Sequence, residues 1–239
     1  MLVLAIDCAT AATAVALVRL EAGGAAATVA HRRHLDPRAH GEQLAPMITS
    51  VLADAGARAT DLSAVVAGTG PGPYTGLRVG LVTAAAIAQA LQVPTYGVGS
   101  LDGIGAAGPV AAGSGAATGP VLVATDARRR EVYWALYHGG VRLTEPAVDR
   151  PAEVAPVLAA RGVRRAYGEG ALRYRDEWGV PVADEPTYPD PAVLASVAAE
   201  RIIAGAPGEP LVARYLRRPH ADAPTPAKPV GPVKPAGRR

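Results

Sequence analysis

Apolar runs, and the points where they break, divide the chain into short buried strands and amphipathic helices. Leu2 to Ile6 is an unbroken apolar run that stops at Asp7. Cys8 to Ala12 is a turn of small residues, and Thr13 to Leu20 is apolar again, so the pair predicts a hairpin. Thr28 to Leu35 predicts a third strand. Leu44, Met47, Ile48, Val51, Leu52 and Ala55 then recur at the spacing of one helical face. Gly56 stands where a helix C-terminus favours glycine, and Pro46 predicts either a helix start or a kink. Ala64 to Gly68 predicts a buried strand, and a helix is expected from about Thr75 to about Leu91. Within that helix Gly76, Gly80, Ala84 and Ala88 fall on one side. Each interior glycine costs about 1 kcal/mol against alanine, so the face is expected to meet another backbone closely. Val93 to Val98 predicts a further strand, and Gly103 to Gly119 a loosely packed helix or loop.

The second half repeats the plan of the first. Val121 to Asp126, a short turn, and Glu131 to Tyr137 again read as apolar strand, aspartate, turn, apolar strand. Strand length, aspartate position and turn length agree together, which favours duplication over two unrelated hairpins. Helix-like Ala152 to Ala160, strand-like Arg165 to Gly168 and a helix from Pro191 to Ala204 follow. From Pro219 onward Pro, Ala, Gly and Lys dominate and no apolar stripe survives, the composition of a disordered tail. The expected division is a lobe over 1–102, a second over 103–218 and a tail over 219–239.

Composition narrows the function. The 239 residues, 49% of them hydrophobic, suffice for a substantial core. The single cysteine, Cys8, has no internal disulfide partner, which points to a reducing, cytoplasmic setting. The apolar start meets Asp7 too early for a signal peptide, and the uncharged stretch Val79 to Leu101 carries glutamines, glycines and a proline. It reads as a buried helix and strand, with no membrane partner expected. The formal charge of +3 is matched by the segment after Arg218 alone, so the body is neutral. That argues against unaided, sequence-independent binding of nucleic acid. Basic clusters at Arg128–Arg130 and Arg214–Arg218 read by default as solvated surface.

Gly68 to Gly80 combines five glycines with two prolines ahead of the second helix. The composition predicts a stiff loop of exposed backbone N–H groups, suited to an anion or a docked partner. It is not a P-loop, because no Gly-Lys-Ser/Thr ends it. His31, His34 and His40 with Glu42 are a conceivable zinc set, but the odd spacing puts the first two on opposite faces of a strand, and ordinary surface or capping roles are favoured. Neither a Gly-x-Ser-x-Gly elbow nor a His-Glu-x-x-His pair is present.

The repeated strand–Asp–turn–strand lobe resembles the actin, sugar kinase and Hsp70 (ASKHA) superfamily, which implies a two-lobed α/β, RNase H-like fold. More closely, Leu4 to Thr10, His40 to Pro46, Gly70 to Gly80, Asp126 to Tyr133 and Tyr215 to Pro219 together resemble the TsaB (YeaZ) family. That resemblance implies a non-catalytic subunit of the machinery that makes tRNA N6-threonylcarbamoyladenosine. Its implied partners are a metal-bearing TsaD-type subunit, a TsaE-type ATPase, and tRNA through the complex, with a homodimer in isolation. No cofactor is implied for the chain itself, ATP being used by the complex. Two positions depart from the family: Pro73 replaces a usual serine, and Cys8-Ala9 replaces the glycine that follows the first aspartate.

The resemblance also assigns sites. The TsaD-type His-x-x-x-His metal pair falls on Ser100 and Ile104, a set that cannot hold a metal. The partner interface is expected on Leu44, Met47, Ile48, Val51 and Leu52 of one helix and Gly76, Gly80, Ala84 and Ala88 of the next. A weak nucleotide or anion site is expected on Asp7, Thr10, Gly70, Gly72, Gly76 and Asp126. Each aspartate has two readings, an ion- or water-orienting carboxylate or the cap of its own turn. The rival functions are an ASKHA-type ATPase or phosphotransferase and, less favoured, a glycoprotease-like metallopeptidase.

Overall fold

In a computed structural model, which describes residues 1–111 and 119–217, the first half builds a five-stranded sheet. β1 (Leu2–Asp7), β2 (Ala12–Leu20) and β3 (Ala26–Leu35) form an antiparallel meander. α1 (His40–Asp54) then crosses to β4 (Ala64–Gly68), and α2 (Tyr74–Leu91) to β5 (Thr95–Val98). Both later strands run parallel with β1, giving the order β3-β2-β1-β4-β5. Side chains alternate across the sheet as the pleat requires. In β1, Leu4 and Ile6 pack under α1 and α2, while Val3 and Ala5 face the other way.

The second half repeats the start of this plan. β6 (Val121–Asp126) pairs antiparallel with β7 (Val132–His138) and parallel with β10 (Arg165–Tyr167). Two short strands, β8 (Val141–Arg142) and β9 (Ala147–Asp149), also pair with β7. One face of this sheet packs on α3 (Ser100–Ala111), the other on α4 (Pro151–Ala160) and α5 (Glu169–Arg173).

α6 (Pro191–Ile203) corrects the expected division at 102/103. Asp190 caps it by accepting the Ala192 N–H at 2.8 Å, and Pro191 opens it. Its buried Leu194, Ala195, Ala198, Ala199 and Ile202 fill the face of the first sheet opposite α1 and α2. The segment beyond stays with that sheet: Glu209 N–H donates to Thr95 and Arg214 N–H to Thr69. Residues 191–217 therefore complete the first lobe, because its sheet has two apolar faces and the residues before 100 cover only one. The tail expected over 219–239 lies outside the described residues.

Local signals placed the elements well. Gly56 takes φ +60°, and the Gly56 and Ala57 N–H groups close on the carbonyls of Ala53 and Leu52, a Schellman ending. α1 begins at His40 and runs through Pro46, so the proline neither starts nor ends it.

The interface expectation needs correcting. Leu44, Met47, Ile48, Val51, Gly76, Gly80, Ala84 and Ala88 are buried in the chain's own core, with Leu52 at its edge. A helical stripe finds its nearest apolar partner first, and here that is the sheet beneath. A Cβ on Gly80 would stand 3.2 Å from Cys8 Cβ. The solvent-facing positions include instead Ala45, Pro46, Thr49 and Ala53 on α1 and Thr75, Arg78, Val82, Ala85, Ala86 and Gln89 on α2. α2 is long and apolar enough by composition to cross a membrane, but a third of that span is buried in the fold.

Gly80→Leu should therefore lower the stability of the isolated chain by about 1–3 kcal/mol through overpacking. Chemical denaturation of the monomer measures it, and an unchanged midpoint would contradict the tight seat of α2 on the Cys8 turn.

Candidate functional site

The glycine loop lies closed over the turn between β1 and β2. Asp7, at the end of β1, is fully buried. Its Oδ1 accepts the Ala9 N–H at 2.9 Å, and its Oδ2 accepts the Ser100 hydroxyl at 2.5 Å. Ser100 Oγ also accepts the Gly70 N–H at 3.1 Å, so α3, the loop and the turn share one polar node. Gly68 passes directly over the carboxylate, and a Cβ there would lie 1.8 Å from Asp7 Oδ2. Further along, a Cβ on Gly72 would lie 2.1 Å from the Ala9 carbonyl oxygen, and one on Gly76 2.7 Å from that of Cys8. The glycines are required by contact with the chain itself.

Burial dominates the electrostatics of this node. It pushes the Asp7 carboxyl up to about 6 against the pull of its two hydrogen bonds, and pushes the Cys8 thiol up as well. His40, at the start of α1, is buried with Nδ1 2.7 Å from the Thr13 hydroxyl, and burial lowers its pKa. His40 thus pins α1 to β2. His31 Nε2 lies instead 3.8 Å from Asp190, so the histidines do not gather.

Of the expected anion-site residues, Asp7, Thr10, Gly70, Gly72 and Gly76 are buried, and the Thr10 hydroxyl accepts the Ala12 N–H. The expectation of exposed N–H groups is corrected: the loop is filled by the β1–β2 turn. Asp126 keeps the equivalent place in the second lobe, its Oδ1 accepting the Arg128 N–H at 3.0 Å. Each aspartate therefore caps its own turn, with the bond reaching two residues ahead. The rest differs, because Asp126 is less enclosed and its Oδ2 meets Arg173 at 3.0 Å and Arg128 at 3.5 Å.

Sequence reasoning missed Glu169, the first residue of α5. Its half-buried carboxyl lies close to the backbone of both Asp126 and Ala11, between the two aspartate turns. Burial first, and the Asp126 charge second, push it up to about 7. The available signal was the pair Gly168 and Gly170 around it, which approach the backbone of Ala124 and Thr125 as Gly68 approaches Asp7. Ser100 and Ile104, the positions matched to a metal pair, have other roles. Ser100 holds the Asp7 node, and Ile104 is fully buried beside Leu101 in the core of the second lobe.

The family model described as "TsaD: tRNA N6-adenosine threonylcarbamoyltransferase" matches residues 23–174. The uncharacterized protein Rv3421c of Mycobacterium tuberculosis is 46% identical over 221 residues, which cover 92% of this chain and 93% of that protein. The Mycobacterium leprae protein ML0378 is 44% identical over 220 residues, and there the chain spans 56% of the relative's length. The Escherichia coli tRNA threonylcarbamoyladenosine biosynthesis protein TsaB is 38% identical over 139 residues, 57% of this chain and 55% of TsaB. Among solved structures, YeaZ from Pseudomonas aeruginosa superposes with a TM-score of 0.73 at 28% identity, over 90% of this chain and 99% of YeaZ. A polyphosphate/ATP-glucomannokinase from Arthrobacter, at TM-score 0.50 and 18% identity, shows the shared sugar-kinase fold alone.

The Asp7 node yields a pH prediction. The folded carboxyl holds its proton up to about pH 6, whereas the unfolded one releases it near 3.8. Between those values the folded state binds more protons, so this group's contribution to stability falls as pH rises and is flat above. Asp7→Asn cannot titrate. The stability of the native chain relative to Asp7→Asn should decline between about pH 4 and pH 6, by on the order of 3 kcal/mol. Denaturant unfolding of both proteins across pH checks it; a difference that does not vary with pH would contradict the buried carboxyl.

Proposed function

Because the chain belongs to the tRNA N6-adenosine threonylcarbamoyltransferase family, on its TsaB (YeaZ) branch, we propose that it is a partner subunit of the complex making threonylcarbamoyladenosine in tRNA, not itself the transferase. The observation that carries this reading is the fate of the catalytic positions. Where the transferase branch is expected to hold its metal with two histidines, this chain has a serine engaged with Asp7 and a fully buried isoleucine. A hydroxyl already bonded on both sides and a hydrocarbon supply no competent ligand pair.

The same geometry supports only weak nucleotide binding at the aspartate turns. The glycine loop is occupied by the chain's own backbone, which leaves no open cradle of N–H groups for a phosphate. ATP is then used elsewhere in the assembly, by a TsaE-type subunit, and the work takes place in the cytoplasm.

Docking of the TsaD-type partner falls on the outer faces of α1 and α2. They carry Ala45, Pro46, Thr49 and Ala53 beside Val82, Ala85 and Ala86, with charge confined mainly to the helix ends at Glu42, Asp54 and Arg78. Val82 is 68% exposed in the monomer. Small residues let a second helix pair approach closely, and a specific contact buries about 1,600 Å² in total. The same faces allow a homodimer when the partner is absent.

Two measurements test this reading. In reconstitution, the chain alone should form no modified adenosine and should raise the output of a TsaD-type subunit; product from the chain alone would refute the subunit assignment. Val82→Asp should leave the monomer's melting temperature unchanged and weaken pairing with the TsaD-type subunit at least about tenfold, the loss expected for a charge desolvated in an interface core. Undiminished pairing by analytical ultracentrifugation would move the interface elsewhere.

A further inference from the structure

The two basic clusters of the sequence, Arg128–Arg130 and Arg214–Arg218, meet in space. Arg217 donates through Nη1 to the Ala127 carbonyl at 2.7 Å, and its guanidinium also contacts Glu131. Residues 128, 129 and 130 all adopt positive φ, at 61°, 57° and 60°. Three successive arginines in the left-handed region are unfavourable without glycine, and such backbone is kept where its surroundings impose it.

Two cavities adjoin this turn and share Arg129. One, of about 220 Å³, lies between the lobes and is lined by Tyr74, Arg128, Arg129, Tyr133 and Arg217. The other, of about 390 Å³, is lined by Arg129, Arg130, Arg150, Tyr174 and Glu177. Arg128 is matched by Asp126 and Arg217 by Glu131. Arg129, Arg130 and Arg150 are exposed and have no carboxylate within ion-pair distance among the described residues. Arg217 loses some of its affinity for the proton first to burial and next to the charge of Arg129, so like charges are held near one another.

We propose that this double cavity is a contact surface for the phosphodiester backbone of RNA, with the three unmatched arginines taking successive phosphates. The observations favour a polyanion over a small ion. All three unmatched arginines line the second cavity, which at about 390 Å³ is roomier than one phosphate needs, and Arg129 also lines the first, so a strand running from one cavity to the other can set successive phosphates on them. Guanidinium groups match phosphate oxygens in pairs. The neutral body limits the affinity of the chain alone, so the surface acts as an added contact within an assembly. The inference rests on the subunit reading above, and it gives this chain a direct hold on the tRNA.

The test uses the full chain assembled with a TsaD-type subunit and measures tRNA binding across a salt series. Replacing Arg129, Arg130 and Arg150 together by Gln should weaken tRNA binding about tenfold at low salt and reduce the slope of log K against log salt by about 2–3. Glu177→Gln, which removes the carboxylate from the second cavity, should strengthen binding. Unchanged affinity and slope in both variants, with assembly intact, would overturn the RNA surface while leaving the subunit reading untouched. Failure of the native chain to assemble would instead strike the subunit reading. Titrations with pyrophosphate and with ATP form the other arm: small-anion binding lost in the triple variant, with tRNA binding unmoved, would also overturn the RNA surface.

Discussion

The carboxylate of Asp7, sealed under Gly68 and shared between the Ala9 N–H and the Ser100 hydroxyl, sets the geometry of the first lobe. A carboxyl group so far from water is tolerated only where its hydrogen bonds are made, and here the donors come from its own turn and from α3. Three glycines let β4 and the following loop lie close enough to close the space. Cys8 fills the next gap, against Gly80 of α2. Position of α2, position of α3 and closure of the loop are thus one arrangement. The space between the glycine loop and the β1–β2 turn is filled by the chain's own backbone.

The second lobe shows what the same device becomes when it is left more open. Asp126 makes the same turn bond but has arginines as neighbours in place of a serine. Gly168 and Gly170 make the same close approach to the strand beside them. The two lobes share the backbone pattern, while the side chains differ: the aspartate is buried against a hydroxyl in one lobe and ion-paired with arginines in the other. Glu169 bridges the two results, touching Ala11 of the first lobe and Asp126 of the second.

Much of the fold was legible in the sequence because its strands are short unbroken apolar runs with sharp ends. β1, β2, β4, β6 and β7 lie within a residue or two of their apolar runs, and Gly56 marked the end of α1 through its backbone conformation. The faces of α1 and α2 were misassigned for a physical reason: periodicity says which positions are apolar, not whether they meet a sheet or a partner. The lobe boundary failed likewise, since nothing local in Pro191 to Ile203 says which sheet that helix covers. Glu169 was hidden because a single carboxylate becomes special only through neighbours distant in the chain. The joining of Arg128–Arg130 with Arg217 was hidden for the same reason.

The placement of α6 governs the order in which the protein can be completed. During synthesis, β1 to β5 emerge first and gain α1 and α2 at once, but the opposite face of their sheet must wait for residues 191–203. Throughout that interval Val3, Ala5, Val18 and Val66 present a bare apolar surface while the entire second sheet is being made. The nascent chain is therefore most exposed to aggregation, and most dependent on chaperone cover, between the emergence of β5 and that of its last helix.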